Sequence, residues 1–322
     1  MTKGAVPYIS IALATKNRVA LLSETLFALS AQHWPRDRFE IVVADNGSTD
    51  ATRSVVERAA RAGQPRICYR YVPEAGKSRA LNVALGVCLG TYVALTDDDV
   101  TPDPDWLPEL AAAFEANDAD FVAGRILPKW EREPPPWLSP RMYGVLAVPD
   151  NGTEPATLDG SSNSIMPIGA NMAVRHAALT RVGGFRTDLG KLDGTLRTGE
   201  DHELYLRLIA AGFRGVYEPR AVVHHFVPAA RLTREYFRRW LYQNGRDVCR
   251  LEASYQRPYP RLLGVPRYMW RESAEAAASA CVAAVAGDPA DRAAAALRVM
   301  WFGGYLREAW FGEQAGADGP GT

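Results

Sequence analysis

No run in this sequence approaches the ~18 consecutive apolar residues that a membrane-spanning helix requires, so a chain that crosses a bilayer by itself is not expected. Lysine is nearly missing. Only five occur in 322 residues, and arginine supplies almost all of the 37 basic side chains. The 37 acidic side chains cancel them, which argues against the chain as a whole gripping nucleic acid and leaves room only for a local basic patch. The four cysteines, Cys68, Cys88, Cys249 and Cys281, show neither CxxC nor a Cys/His ligand spacing. That pattern points to reduced, mostly buried thiols and a cytoplasmic protein, not to a zinc site or a disulfide framework. Ala12-Leu13-Ala14 imitates a signal-peptidase site, but the apolar core before it is too short for a signal peptide. No GxGxxG follows the first apolar run, which disfavours a dinucleotide-binding dehydrogenase.

What is present is a 47% hydrophobic composition, enough for one domain of roughly 200–250 residues with an appendage. In the first half, short apolar runs (Ile9–Ala14, Ile41–Ala44, Ile67–Val72, Tyr92–Leu95, Phe121–Ala123) alternate with segments of helical spacing such as Val19–Gln32 and Trp106–Ala116. That rhythm predicts an α/β domain over residues 1–230, with a mostly parallel sheet flanked by helices. Residues 128–167 break it with Pro134-Pro135-Pro136, Asn151-Gly152 and a Ser-Ser-Asn-Ser run, and read as an irregular insertion. Residues 231–322 read as a helical extension, interrupted near Pro258–Pro266 and Gly287-Asp288-Pro289. Ala274–Ala286 within it is too short to span a membrane and predicts a buried helix.

Several predicted strands end in carboxylates or small polar residues: Ala14-Thr15-Lys16-Asn17-Arg18, Asp45-Asn46-Gly47-Ser48-Thr49-Asp50 and Thr96-Asp97-Asp98-Asp99. Ligands of open α/β sheets bind at the carboxyl ends of the strands, so Thr15, Asp45, Asp97 and Asp99 should converge. Asp50 has the chemistry of a capping or turn residue. Helix capping explains one carboxylate of Asp97-Asp98-Asp99 but not three. Adjacent carboxylates repel unless a cation compensates them, and oxygen ligands of this kind suit Mg²⁺ or Mn²⁺ bridging to a phosphate.

These motifs, with Gly76-Lys77-Ser78-Arg79-Ala80-Leu81-Asn82, Gly199-Glu200-Asp201 and Val223-His224-His225, resemble in their order a family 2 glycosyltransferase over roughly residues 7–230. The resemblance implies a GT-A fold and transfer of a sugar from a nucleoside diphosphate, a UDP-sugar first, with inversion at the anomeric carbon. It implies that Thr15 and Asp45 hold the base, that Asp97 sits at the ribose, and that Asp99 binds the metal. Ala14, Asn17, Arg18 and Asp98 belong to the same donor-binding stretches. Lys77 would face the phosphates, or else is a solvated lysine. Asn171, in Gly169-Ala170-Asn171, would line the donor pocket or merely enter a strand. Asp201 would be the base that deprotonates the acceptor, beside Glu200; the plain alternative is two acids complementing a helix dipole. Neighbouring residues of a strand face opposite ways, so one of the two imidazoles should meet the site. The resemblance favours His225 as a metal ligand over a structural role.

Between Arg231 and Arg271 the chain has ten arginines and three acids. Arg239, Arg246, Arg250 and Arg257 share a helical face opposite Phe237, Leu241 and Val248. The face either is solvated while the helix packs, or meets an anionic membrane at the inner surface or a diphosphate-linked acceptor. The acceptor class, whether glycan, lipid-linked or small molecule, has no motif. A sugar nucleotidyltransferase would also need acids and a metal, but it uses a Gly-rich N-terminal phosphate loop that Ala12–Arg18 lacks. A non-catalytic nucleotide-sugar-binding protein would not need Glu200-Asp201.

Overall fold

The computed structural model describes residues 8–63, 65–149, 151–161, 165–192, 195–255, 259–287 and 289–312. In chain order these form β1 (Ile9–Thr15), α1 (Val19–Ser30), β2 (Phe39–Asp45), α2 (Thr52–Ala60), β3 (Arg66–Tyr71), α3 (Lys77–Leu85), β4 (Tyr92–Leu95), β5 (Val100–Pro102), α4 (Trp106–Asn117) and β6 (Phe121–Trp130). There follow β7 (Ala156–Leu158), β8 (Met172–Arg175), α5 (His176–Val182), α6 (Glu200–Ala210), β9 (Gly215–Val227) and α7 (Arg234–Tyr255). The chain closes with β10 (Arg261–Leu262), β11 (Val265–Pro266), α8 (Arg267–Ala286) and α9 (Pro289–Phe311). It divides into two compact units.

The first unit holds Met1–Glu133, Leu146–Thr195 and Glu200–Ala229. Its sheet runs β3-β2-β1-β4-β8-β6-β9-β5, with β7 also on β9, and is mostly parallel by paired residues. β1 and β2 are buried at every position, because helices cover both faces and leave no side to alternate toward water. Tyr92 and Phe114 stack with ring centroids 4.0 Å apart. At the amino ends of the strands, buried Glu40 accepts the Ser10 hydroxyl at 2.7 Å and the Leu89 N–H at 2.8 Å, and pairs with Arg66. The expected insertion is less irregular than its prolines suggest. β6 runs into it as far as Trp130, β7 pairs with β9, and Pro140–Leu146 forms 3-10 turns. Its Ser162–Ser164 lie outside the described residues.

The second unit holds Pro134–Val145, Leu196–Gly199 and Ala230–Thr322. α7 and α9 meet backbone to backbone: a Cβ on Gly245 would lie 2.0 Å from the Trp301 carbonyl oxygen, and one on Gly304 would lie 1.9 Å from that of Tyr242. Glu308 accepts from Arg246 Nε at 2.9 Å and Arg250 Nε at 2.6 Å. Half of the expected basic stripe is therefore neutralised inside the unit; Arg239 is exposed, and Arg257 lies outside the described residues. The expected burial of Ala274–Ala286 is corrected. Among its described residues only Ala276 and Ala283 are buried, while Cys281 and Val282 are exposed. Alanine forms helix by intrinsic preference and does not need burial to do so. Cys68, Cys88 and Cys249 are buried and free. Among the described residues no helix is long and apolar enough to cross a membrane.

Candidate active site

β1, β2 and β4 are parallel neighbours, so their carboxyl ends open on one edge of the sheet. Thr15 closes β1 directly opposite Asp45 at the end of β2. Asp97, Asp98 and Asp99 follow β4. Asn17 has φ 51°, a left-handed conformation that asparagine tolerates. There its Oδ1 accepts the Thr49 N–H at 2.7 Å and its own N–H reaches Ser48 Oγ at 2.9 Å. Asp50 caps as its turn chemistry suggested, accepting from the N–H groups of Val19 and Thr52, the first residues of α1 and α2.

Cationic and hydroxyl partners offset the charge of the three aspartates. Asp98 accepts the Thr15 hydroxyl at 2.7 Å. One Arg18 nitrogen bridges Asp98 Oδ1 at 2.9 Å and Asp99 Oδ2 at 2.8 Å. Lys77 Nζ lies 2.6 Å from Asp97 Oδ1. A lysine opening a helix meets an unfavourable dipole, and this carboxylate compensates it. Burial pushes Asp97 up, but Lys77 outweighs that and, with Lys191, holds it below the usual carboxylate range. Burial, with the like charge of Asp99, pushes Asp98 up despite Arg18.

β9 delivers the imidazole. Phe226 N–H donates to the Asp99 carbonyl at 2.9 Å, which seats His225 Nε2 3.3 Å from Asp99 Oδ1. His224 faces the other way, to Asp103 at 2.9 Å. Asp97, Asp99 and His225 each offer one ligand atom, all within 4.8 Å of one another, and this cluster could hold a metal ion. Two carboxylates and an imidazole suit Mg²⁺ or, better, Mn²⁺. The buried His225 Nδ1 has no hydrogen-bond partner, so the ring is oriented by its backbone and packing and not by a second acceptor.

These groups line a cleft of about 390 Å³ with Ala14, Thr15, Lys16, Asn17, Arg18, Asn46, Lys77, Lys191, Leu192 and Thr195. Asp201, at the start of α6, accepts the Gly169 N–H on Oδ2 at 2.8 Å, while its buried Oδ1 has no partner. Burial pushes its carboxyl up against the opposing pull of Lys77. Glu200 is buried, and desolvation together with the Asp201 charge raises it to about 7. Burial opposes the charge on Lys77, but Asp97, Asp201 and Glu200 outweigh it and keep the ammonium protonated.

Four candidates do not line the cleft: Glu200, Asp201, Asp45 and Asn171. Asp45 is buried, and its oxygens accept the Ser48 N–H at 2.8 Å and the Tyr69 hydroxyl at 2.7 Å. Asn171 is fully buried with its amide occupied: Trp106 Nε1 donates to Oδ1 at 2.8 Å, and Nδ2 donates to the Arg125 and Ala221 carbonyls. Its neighbours make it a tie between β6, α4 and β9, contrary to its reading as a donor-pocket residue. Sequence reasoning missed Lys16, Asn46, Lys191, Leu192 and Thr195. Asn46 could have been found from its motif, since it accepts the Gly76 N–H at 2.8 Å and so sets the start of α3. Lys191 sits in a loop with no pattern to read; only its rarity among five lysines marks it.

The family model described as Glycosyl transferase family 2 matches residues 10–183, more than half of the chain. The succinoglycan biosynthesis protein ExoM of Rhizobium meliloti is 28% identical over 258 residues, which cover 76% of this chain and 75% of that protein. The pre-mycofactocin glycosyltransferase of Mycobacterium tuberculosis is 36% identical over 150 residues, 47% of this chain but only 30% of its own length. Among solved structures, the mannosyltransferase PcManGT of Pyrobaculum calidifontis, in complex with GDP-Man and Mn²⁺, superposes with a TM-score of 0.66 at 24% identity, covering 95% of this chain and 88% of that one. Residues 1–349 of S. aureus TarS, in complex with UDP-GlcNAc, give 0.55 at 18% identity, covering 89% and 90%. Both likenesses are of fold.

Proposed function

The chain belongs to glycosyl transferase family 2, and on that premise we propose that it is an inverting enzyme that moves a sugar from a nucleoside-diphosphate donor, UDP-sugars first, to an acceptor hydroxyl. The observation that carries this reading is the Asp97–Asp99–His225 cluster set between Arg18 and Lys77. The GDP-Man and UDP-GlcNAc complexes of the two structural neighbours support a nucleotide-sugar donor.

In this reading Arg18, Lys77 and Lys191 receive the charge of the diphosphate. Asp97, Asp99 and His225 would hold Mg²⁺ or Mn²⁺, which when bound supplies Lewis-acid stabilisation to a diphosphate leaving group. Asp201 takes the acceptor proton on Oδ1 while Gly169 anchors Oδ2. The acceptor oxygen then bonds to the anomeric carbon as the bond to the diphosphate oxygen breaks on the opposite face. A buried carboxylate with a raised proton affinity is better matched to this role than a solvated one. Glu200 beside it holds its proton to higher pH than an ordinary glutamate, because burial and the Asp201 charge disfavour its ionised form. The base contacts are assigned to Thr15, Asn17 and the Asp45 loop.

The test is donor hydrolysis, without acceptor, across UDP-, GDP- and dTDP-sugars with and without Mn²⁺. Metal-dependent release of one nucleoside diphosphate is expected. Neither hydrolysis nor binding of any member would reject the reading.

A further inference from the structure

The β10–β11 hairpin turns through Leu263 and Gly264, with φ of 51° and 78°. Two-residue turns of this kind ordinarily use Asn-Gly, because both positions need left-handed backbone. A leucine there is strained, and its side chain, 69% exposed, gains no burial in return. Leu262 beside it is also exposed, as are Trp310 and Phe311 at the end of α9. The two elements form one surface, since Trp310 Nε1 donates to the Leu263 carbonyl at 2.9 Å.

The carbonyls of this turn are satisfied from within. Besides Trp310, Trp270 Nε1 donates to the Leu262 carbonyl at 3.0 Å, and Arg261 donates to that of Gly264 at 2.9 Å. In an exposed turn water normally serves these groups. A turn whose three carbonyls already have donors can leave water without orphaning them. The charge on the hairpin itself is basic, although exposed Glu272 follows it and Glu275 lies 3.7 Å from Arg271, which leaves Arg267 and Arg307 as the arginines the surface offers. Between Tyr259 and Arg271 the chain has three arginines and no acid, and Arg307 stacks over the Phe311 ring at 5.6 Å. Exposed leucines, interfacial aromatics and arginines together match the boundary between acyl chains and anionic headgroups.

We propose that the hairpin tip, with Trp310 and Phe311, is a docking surface for an anionic lipid interface. Leu262 and Leu263 enter the acyl boundary, while Arg267 and Arg307 meet lipid phosphates. This surface, and not the α7 stripe, is the one assigned, because Arg246 and Arg250 are already engaged by Glu308.

The test is sedimentation of the full chain with vesicles of phosphatidylcholine alone, or of equal parts phosphatidylcholine and phosphatidylglycerol, at low and high salt. No donor is used, so the result stands apart from the transfer reaction. Wild type should bind the anionic vesicles and release them at high salt. Leu263→Asn relaxes the turn, so its melting temperature should equal or exceed that of wild type, yet vesicle binding should fall roughly tenfold or more. Arg267→Glu should weaken binding by about fivefold or more. Equal binding to neutral and anionic vesicles overturns the proposal, as does undiminished binding by Leu263→Asn. So does a wild-type dimer that Leu263→Asn disperses in light scattering, which would assign the surface to a second copy of the chain.

Discussion

Gly169 holds Asp201 from two sides: its N–H donates to Oδ2 at 2.8 Å, and a Cβ in its place would lie 2.6 Å from Oδ1. Gly169→Ala must therefore push the carboxylate away from its position. A displacement of about 1 Å in a catalytic group costs on the order of 10²-fold in rate. We expect kcat to fall by that order while calorimetry finds nucleotide affinity unchanged. A variant with full turnover would remove Asp201 from the chemistry.

Asp201→Asn keeps the shape of the side chain and loses the proton acceptor. The expected loss in kcat is ~10²–10⁴-fold. In wild type the base must be ionised, and burial holds its carboxyl above the usual range. The acid limb of the pH–rate profile should accordingly lie at higher pH than an ordinary aspartate would give. A limb at the ordinary aspartate position would contradict the assignment.

Glu200 offers a test in stability. Its value of about 7 in the folded chain exceeds its ordinary 4.5, so folding favours the protonated form. That contribution is complete below the unfolded value and is lost as pH rises through the folded one. Glu200→Gln should gain on wild type between about pH 5 and about pH 8, by on the order of 3 kcal/mol. Melting curves across that range read it directly, and a constant difference between the two proteins would refute it.

Asp99→Ala should weaken Mn²⁺-dependent UDP binding by roughly tenfold or more. If calorimetry finds UDP binding indifferent to both EDTA and this substitution, the cluster does not serve a metal.

Asn171→Ala separates a fold residue from a donor-binding one. It strands the buried Trp106 N–H and two carbonyls, at a cost of about 1–3 kcal/mol for each group left unsatisfied. A lowered melting temperature with an unchanged donor KM is expected. The reverse pattern would return Asn171 to the donor pocket.

The legible parts of this molecule are those written in contiguous residues. Apolar runs ending in Thr15, Asp45 and Asp97–Asp99 announced a parallel sheet and the one edge on which these strand ends meet. Strand alternation predicted that His224 and His225 would face opposite ways, and only the resemblance chose between them. What could not be read depends on partners far along the chain. Asn171 looks like a pocket residue until Trp106 and the Ala221 carbonyl arrive from other elements. The stripe on α7 looks solvated or lipid-facing until Glu308 comes back along α9 to take two of its guanidinium groups. Lys191 belongs to a loop whose course is set by Lys77, whose N–H donates to the Lys191 carbonyl at 3.1 Å, and loops carry no period from which to infer such a path.

The close crossing of α7 and α9 constrains what the chain can become. Gly245 and Gly304 each face a partner carbonyl, and not a side chain that could rotate aside, so no rotamer adjustment can relieve even an alanine. A library randomised at both positions and selected for folding should return glycine at each, while exposed Arg238 on the same helix drifts freely. Divergence in this unit would then proceed around two points that stay unchanged, with a helix shift as the alternative to conserving them.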